Sequence, residues 1–221
     1  MTAAPGPRPR HWPDLRSAGR ELASHLHPYR ERDDAVVLAL VRGGVPAGAE
    51  IASALSLPID VVVIARMLAP YGPDDPIGAA TIAGKVIVDD GVPPIQIPPS
   101  GGIDHYLVAA FEALRTRTSV CRGERDALDV RGRTVLLVDN GARTGKTMRA
   151  AIRGLRKCQP ARIVAAVAAA SRDAEASLAG TADEVVTALR PDPFGNVAMW
   201  YSNFDVPQDS AIAGVIWPQA P

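Results

Sequence analysis

The segment TVLLVDNGARTGKT, residues 134–147, decides the fold class of this chain. It opens with the apolar run Thr134–Val138, which predicts a buried strand, and continues through an acid, glycines and threonines into a helical pattern over 145–158. A strand that leads through a glycine-containing turn into a helix is half of a β-α-β unit. We therefore predict an α/β protein whose ligand binds beyond the carboxyl end of this strand.

The same alternation of strand and helix extends outward in both directions. The predicted strands span 35–41, 59–64, 134–138, 162–169 and 184–189, and the predicted helices span 16–26, 47–55, 145–158 and 173–179. The strands are continuously apolar, which indicates that both faces of their sheet are covered, as in a parallel sheet with right-handed crossovers. The fold class that we predict is a doubly wound, mainly parallel sheet flanked by helices.

The middle and the two ends of the chain interrupt this alternation. Residues 77–89 include several small residues, with Gly84 at the centre, which predicts a hairpin, whereas 91–102 is rich in Pro and Gly and predicts an irregular connection. Helical spacing returns from Ile103 to Val120. We expect a proline-rich disordered tail over 1–13, a core over 14–190 with an irregular insertion around 77–120, and an aromatic closing segment over 191–221.

Composition excludes several classes of protein. A chain of 221 residues suits one α/β domain with an appendage, and its 24 basic residues balance its 24 acidic ones. The chain therefore has no net charge that would attract nucleic acid or an anionic membrane surface. Cys121 and Cys158 are too few for a disulfide scaffold, no Cys/His pattern has zinc spacing, and no apolar run has the length of a membrane span. We expect a soluble protein of the reducing cytoplasm.

Residues Asp139–Thr147 form the predicted anion site. Gly141 and Gly145 allow the backbone N–H groups to turn toward one anion, while Thr144 and Thr147 add hydroxyl donors and the helix adds its dipole. An ordinary capped turn is one alternative. A nucleoside-triphosphate P-loop is another, because 140–147 matches G-x-x-x-x-G-K-[ST] except that Asn140 replaces the first glycine. That replacement, and the preceding carboxylate, favour a monophosphate site.

The strand and loop together resemble the signature of type I phosphoribosyltransferases, which bind 5-phosphoribosyl-1-pyrophosphate (PRPP). The resemblance implies that Asp139 and Asn140 lie beside the ribose hydroxyls. It also implies that the 5-phosphate is bound by Arg143, Thr144, Gly145, Lys146 and Thr147. The family has a second acid where this chain has Asn140, and the substitution removes a charge that could stabilise an oxocarbenium-like centre. A PRPP-binding sensor or regulator without catalysis is therefore an alternative to an enzyme.

Arg42, Gly43 and Gly44 follow the first predicted strand and resemble the family's pyrophosphate loop. Arg-Gly-Gly by itself is most often a plain turn, but its pairing with the loop at Asp139 favours a functional meaning. In the family, side-chain charge and backbone N–H groups of this loop contact the leaving pyrophosphate, often beside a cis peptide bond. The resemblance thus implies a catalytic group of Asp139, Asn140 and Arg42.

Most of the chain is similar to a bacterial subgroup of predicted phosphoribosyltransferases. That subgroup usually has Lys after Arg66, where this chain has Met67. Its closing aromatic segment implies that residues 191–221 form a small hood, with Trp200 and Tyr201 as candidate contacts to the acceptor. Packing is the alternative role for Trp200, whereas Tyr201 has a hydroxyl that could reach a ligand.

The function implied by this resemblance is a pentosyltransferase that moves a 5-phosphoribosyl group from PRPP to an unidentified acceptor and releases pyrophosphate. Mg²⁺ is expected as a cofactor carried mainly by PRPP, since it takes few protein ligands, and we assign no metal-binding residue. We also expect that two copies can form a homodimer. Purine-salvage enzymes have an acid at the position of Arg143, so hypoxanthine and guanine are not expected as acceptors.

Overall fold

The computed structural model describes residues 11–67, 77–82, 85–88, 102–123 and 125–218. Seven strands lie in these ranges: β1 Ala35–Leu40, β2 Ile59–Met67, β3 Ile77–Ile82, β4 Lys85–Val88, β5 Thr134–Ala142, β6 Arg162–Ala170 and β7 Glu184–Leu189. Six α-helices lie there as well: α1 Leu15–His25, α2 Gly44–Leu55, α3 Gly102–Arg122, α4 Lys146–Lys157, α5 Arg172–Ala179 and α6 Ile212–Ile216. Of the irregular connection predicted over 91–102, residues 91–101 lie outside the described residues, and Gly102 begins α3.

The strands form one sheet in the order β4-β3-β2-β1-β5-β6-β7. Five of them, from β2 to β7 in that order, run parallel, and the hairpin β3–β4 adds two antiparallel strands beside β2. The predicted mainly parallel sheet and hairpin are both confirmed. The chain moves outward from β1 to β4 and then returns to β5 on the other side of β1. This reversal is a topological switch point, which places the carboxyl ends of β1 and β5 side by side.

Helices cover both faces of the sheet because its central strands are apolar on both sides. Val36 and Leu38 pack with α4 and α5 on one face, while Val37 packs with α1 and α2 on the other. The remainder of the second face is covered by α3 and α6, whose residues Leu114 and Ile212 are buried against β1 and β2. Burial of each such side chain contributes roughly 1.5–3 kcal/mol, so these layers hold the switch point in a fixed geometry.

Strand β5 ends four residues later than the sequence predicts, at Ala142 instead of Val138. The extension is possible because β6 is equally long and pairs Gly141 with Ala169 and Ala142 with Ala170. Helix α4 then begins at Lys146, and Gly145 caps it with a φ of 69°. The loop between strand and helix is consequently shorter than predicted.

The predicted tail over 1–13 is wrong at its inner end, because Trp12 is 3% exposed and part of the protein interior. Its backbone N–H donates to the carbonyl of Trp200 at 3.1 Å, and its carbonyl accepts from the N–H of Ser202 at 2.8 Å. Its indole N–H donates to Glu21 at 2.7 Å. The beginning of the described chain and its closing segment therefore hold each other in place; residues 1–10 lie outside the description.

The closing segment, described over 191–218, has two parts with different positions, whereas the sequence predicted a hood over its whole length. Its first part, including Phe194 and Tyr201, packs at the carboxyl edge of the sheet with Trp12, in the position expected of a hood. Its last part forms α6 and is buried against β1, α2 and α3. The first half of the segment thus packs at the edge of the sheet, where its role as a hood stays a prediction, and the second half belongs to the core.

A buried ion pair fastens α3 to the sheet. The guanidinium of Arg122 donates to both oxygens of Asp60 at 2.9 Å, and the same carboxylate accepts from the N–H groups of Val61 and Leu128. Each carboxylate oxygen therefore has two donors, which offsets the cost of burying the charges. None of the helices in the described ranges is both long and apolar enough to cross a membrane.

Candidate functional site

Two chain segments meet at the switch point. One is the turn Arg42–Gly44 after β1, and the other is the end of β5 at Asp139 and Asn140. A methyl group at Gly43 would lie 2.5 Å from the side-chain oxygen of Asn140, and one at Gly44 would overlap the carbonyl oxygen of Val138. The segments approach this closely because both positions are glycine. The structure therefore brings together the two loops that the sequence singled out.

Arg42 lies at the outer edge of this meeting point. The Val41–Arg42 peptide bond is cis, the geometry that the family resemblance implies. One guanidinium N–H of the exposed Arg42 donates to the side-chain oxygen of Gln208 at 3.1 Å. The closing segment thus reaches the predicted pyrophosphate loop, a contact that no local pattern in the sequence indicates.

The residue after Gln208 is also held by an arginine. Both oxygens of Asp209 accept from the guanidinium of Arg117, at 2.7 and 3.1 Å, and Arg117 also donates to the carbonyl of Ile64. The Arg117 guanidinium holds the pKa of the Asp209 carboxyl below its ordinary value, and the charge of Arg42 lowers it further. Asp209 therefore stays ionised near neutral pH, within electrostatic range of Arg42.

The predicted ribose-binding pair lies on the last residues of β5. One oxygen of Asp139 accepts from the backbone N–H of Asn140 at 2.8 Å, while Asn140 is 7% exposed and its carbonyl accepts from the hydroxyl of Tyr201 at 2.6 Å. Burial raises the pKa of the Tyr201 hydroxyl, and the nearby charge of Asp139 adds to the shift. The hydroxyl is consequently a permanent donor that fixes the end of β5.

The predicted phosphate loop is exposed where an anion would approach it. Arg143, Thr144 and Lys146 are exposed, Thr147 is half-buried, and Gly145 is buried at the start of α4. Gly145 has a positive φ, a backbone conformation that favours glycine, and its part in binding an anion stays a prediction. Gly141 has a different role from the predicted one, because it lies within β5 and leaves room for the side chain of Val197.

Ser171 supports this loop from the neighbouring strand end, and sequence reasoning missed it. Its N–H donates to the carbonyl of Ala142 at 3.0 Å, and its hydroxyl donates to the carbonyl of Arg143 at 2.7 Å. The same hydroxyl accepts from the N–H of Ala174 at 3.0 Å and so caps α5. A serine directly before a helix is a recognisable cap signal, but its bond to the loop depends on the sheet order.

The triphosphate-binding alternative does not fit this geometry. In a P-loop, the residues after the first glycine leave the strand and wrap around the phosphates. Here 140–142 remain in β5, and Gly141 and Ala142 pair with β6, so only 143–145 separate strand from helix. Such a short turn suits one phosphate group better than a chain of three.

The two aromatic residues proposed as acceptor contacts are engaged within the protein. The indole N–H of Trp200 donates to the carbonyl of Phe194 at 3.0 Å. The Tyr201 ring lies between Trp12 and Phe204, with centroids 5.3 Å apart in both pairs. A contact between either residue and an acceptor stays a prediction, and the side chains of Arg66 and Met67 lie outside the description.

A metal site formed by protein side chains was not predicted from the sequence. Among the residues that the structure describes, no group of three or more His, Cys, Asp or Glu side chains is arranged as a metal site. The half-buried carboxylate of Asp139 and the amide of Asn140 are oxygen donors of the kind that Mg²⁺ accepts. The predicted use of Mg²⁺ carried by the substrate stays a prediction.

Comparison with known proteins shows the family of the chain. Residues 10–197 match the family model described as the phosphoribosyl transferase domain. A Mycobacterium tuberculosis protein from strains CDC 1551 and H37Rv, which its name assigns provisionally to the phosphoribosyl transferases, is 32% identical over 203 residues. That match covers 92% of this chain and 46% of the relative, so the chain spans about half the relative's length.

A solved structure is similar over almost its full length. The crystal structure of a Thermus thermophilus protein has a TM-score of 0.78 and 31% sequence identity. The match covers 93% of this chain and 97% of the Thermus chain. The similarity therefore extends over nearly the whole of both chains.

Proposed function

This chain belongs to the phosphoribosyl transferase domain family, and on that premise we propose that it transfers a 5-phosphoribosyl group from PRPP to an acceptor and releases pyrophosphate. The observation that carries the proposal is the contact between the turn Arg42–Gly44 and the end of β5 at Asp139 and Asn140. PRPP has a phosphate at one end, a pyrophosphate at the other and a diol between them. Each part has a chemically matched segment at this edge of the sheet.

The 5-phosphate is assigned to the turn between β5 and α4. The turn presents the exposed Thr144 and Lys146 and the half-buried Thr147, directly at the amino end of a 12-residue helix. Backbone N–H groups at a helix start attract anions because they lack partners within the helix and because the helix dipole is positive there. Ser171 holds the turn in shape through its bonds to the carbonyl of Ala142, the last residue of β5, and to the carbonyl of Arg143 in the turn.

The diol and the pyrophosphate are assigned to the neighbouring segments. Asp139 accepts from the ribose hydroxyls, since a carboxylate is an acceptor with several lone pairs. Arg42 donates to the pyrophosphate and stabilises the charge that develops as it leaves. Mg²⁺, when bound with the substrate, neutralises further charge on the pyrophosphate.

In the reaction, a nitrogen or hydroxyl of the acceptor attacks C1 of the ribose. The bond from C1 to the pyrophosphate oxygen breaks, and pyrophosphate leaves with the electron pair. The proton of the acceptor is lost to solvent or to a basic group of the substrate. The protein's main contribution is to hold the reacting groups in place and to screen their charges.

Arg143 bears on the choice of acceptor. It is the exposed first residue of the turn between β5 and α4, and a guanidinium stays protonated throughout the accessible pH range. It can attract an anion or donate hydrogen bonds, but it cannot take a proton from a purine ring as an acidic side chain can. We propose an anionic or hydroxyl-rich acceptor, and efficient formation of inosine or guanosine monophosphate from PRPP would contradict this.

A second candidate function is a PRPP sensor without turnover, and Asn140 is the observation that favours it. Its neutral amide is buried against Gly43, at the position where the family has a second acid. PRPP binding then occurs with the same contacts, but the ribosyl cation receives less stabilisation. The two functions differ in pyrophosphate release and not in PRPP affinity.

Calorimetric titration with PRPP in the presence of Mg²⁺, followed by a pyrophosphate-release assay over a panel of acceptors, tests the proposal. We expect PRPP to bind more tightly than ATP. Asp139→Ala and Thr147→Val should each weaken PRPP binding about 10- to 100-fold, the cost of a lost hydrogen bond to a charged group.

Matched controls lie at the opposite edge of the sheet. Asp33 precedes β1 and Thr181 precedes β7, so Asp33→Ala and Thr181→Val should leave PRPP affinity unchanged. Tighter binding of ATP than of PRPP, or unchanged affinity in both site variants, would refute the assignment. PRPP binding without pyrophosphate release from any acceptor would favour the sensor.

A further inference from the structure

Gln208 contacts Arg42 from the far end of the chain. The amide oxygen of Gln208 accepts an N–H of the Arg42 guanidinium at 3.1 Å, across 166 positions of sequence. Gln208 lies in the closing segment, directly before the short 3-10 turn Asp209–Ala211. The contact therefore links the part of the chain beyond the last strand to the loop assigned to the pyrophosphate.

The backbone at Gln208 is fixed by the residue that follows it. Asp209 is paired through both oxygens with Arg117 of α3, and Arg117 also donates to the carbonyl of Ile64 in β2. α6 begins three residues further on and is buried in the core through Ile212 and Ile216. Gln208 is thus anchored by an ion pair next to it and by a buried helix close behind it.

An anchored hydrogen-bond acceptor such as Gln208 can restrict the conformations of the Arg42 side chain. Arg42 is exposed, and an arginine side chain without contacts samples many rotamers, so binding would have to restrict them. A neutral amide oxygen can orient the guanidinium without neutralising it. A carboxylate at the same place would orient it too, but would compete with the anionic ligand.

We propose that Gln208 is a positioning residue that orients Arg42 toward the pyrophosphate of the substrate, with the Arg117–Asp209 pair holding Gln208 in place. The inference rests on the proposed function, and it makes the closing segment part of the substrate site. It concerns the pyrophosphate end alone, since Gln208 acts through Arg42 and the 5-phosphate turn is held independently by Ser171.

Titration of wild-type protein and variants with PRPP, magnesium pyrophosphate and ribose 5-phosphate tests the proposal. Gln208→Met keeps the length of the side chain and removes the amide. We expect it to weaken pyrophosphate and PRPP binding about 3- to 10-fold and to leave ribose 5-phosphate binding unchanged. Asn203→Ala, at another exposed amide of the same segment, should leave all three affinities unchanged.

A double-variant cycle shows whether Gln208 acts through Arg42. In an Arg42→Met background, Gln208→Met should have no further effect on pyrophosphate affinity, because there is no guanidinium left to orient. A full additional loss in that background would overturn the proposal. So would an equal loss of ribose 5-phosphate affinity, which indicates general damage to the fold, or unchanged affinities in Gln208→Met.

The wild-type titration separates this proposal from the function on which it rests. If the wild-type protein binds neither PRPP nor pyrophosphate, the proposed function fails and the role of Gln208 fails with it. If the wild-type protein binds both and the Gln208 variant matches it, only the positioning role fails.

Discussion

Asn140 lies with its side chain against Gly43, and only 7% of its surface is exposed. A buried amide at this position costs less to desolvate than a buried carboxylate, but it would supply no negative charge to the ribosyl cation of the proposed reaction. The same residue is fixed through its backbone by the hydroxyl of Tyr201. The surrounding protein therefore fixes the position of Asn140. Its effect on the proposed reaction depends on its being a neutral amide where the family has a carboxylate.

Restoring the acid tests this difference. We expect Asn140→Asp to raise the rate of pyrophosphate release, because the carboxylate would stabilise the ribosyl centre and could share Mg²⁺ with the substrate. The assay is a continuous pyrophosphate-release measurement with saturating PRPP. Asn203→Asp, which adds the same charge at an exposed site in the closing segment, serves as the control. An unchanged rate in Asn140→Asp would favour a sensor.

The close approach of Gly43 to Asn140 leads to a second prediction, which concerns the substitution of Gly43 by alanine. Gly43→Ala would place a methyl group 2.5 Å from the Asn140 side-chain oxygen. We expect it to lower the free energy of unfolding by about 1–3 kcal/mol through overpacking, and to weaken PRPP binding as the loops separate. Gly214 has open space around it in α6, so Gly214→Ala should be neutral or slightly stabilising. Urea unfolding and calorimetry measure both effects.

Among the secondary structure elements, β6 and α5 determine the shape of the turn between β5 and α4, to which the 5-phosphate is assigned in the proposed function. The length of β6 keeps β5 paired as far as Ala142, and Ser171 between β6 and α5 then bonds to the carbonyls of Ala142 and Arg143. The turn is thus shaped by the elements beside it as well as by its own glycines. A substitution at Ser171, which lies outside the loop motif, is therefore expected to alter ligand affinity.

Ser171→Ala should weaken ribose 5-phosphate and PRPP binding several-fold while leaving pyrophosphate binding unchanged. It should also lower the free energy of unfolding by about 1 kcal/mol, the usual cost of a lost helix cap. Asp14 caps α1 by accepting from the N–H of Ser17 at 2.7 Å, so Asp14→Ala is a matched control. The control should lose similar stability and keep its affinity. Equal affinities in the two variants would contradict the role of Ser171.

In the molecule as a whole, ion pairs join the closing segment and the strand ends to the rest of the fold. Arginine partners hold the pKa of Asp209 and of Asp183 below the ordinary value, through Arg117 and Arg156 respectively. A carboxyl whose pKa is lower in the folded state than in the unfolded state contributes stability above its unfolded pKa. That contribution is lost as the pH falls through the folded pKa.

Stability should therefore decline in acid, beginning near the ordinary aspartate pKa of 3.8. Asp209→Asn is expected to cost about 1 kcal/mol at neutral pH, since the pair with Arg117 is bidentate but part-exposed. The difference from wild type should shrink as the pH falls below that ordinary pKa, where the wild-type carboxyl takes up its proton. Asp205→Asn, at an exposed acid of the same segment, is the control. A difference that stays constant with pH in urea unfolding would exclude this linkage.

Local sequence patterns were sufficient to predict the sheet class, the position of both loops and the family. These follow from patterns within a few residues, since apolar runs predict strands and the order of acid, glycine and threonine before a helix predicts an anion site. The edge at which the loops lie also follows, because parallel strands end on the same side. Asp139 and Arg42 could be named for these reasons.

The contacts that distant residues make with the two loops depend on the tertiary structure. Ser171, Tyr201 and Gln208 bond to partners 28, 61 and 166 positions away. Trp12, predicted to lie in a tail, is held by the closing segment at Trp200 and Ser202. Periodicity and turn chemistry describe neighbours along the chain, whereas these contacts arise from the order of strands in the sheet. These contacts form because folding brings their strands, helices and loops together. Patterns within a few residues do not predict which of these elements become neighbours.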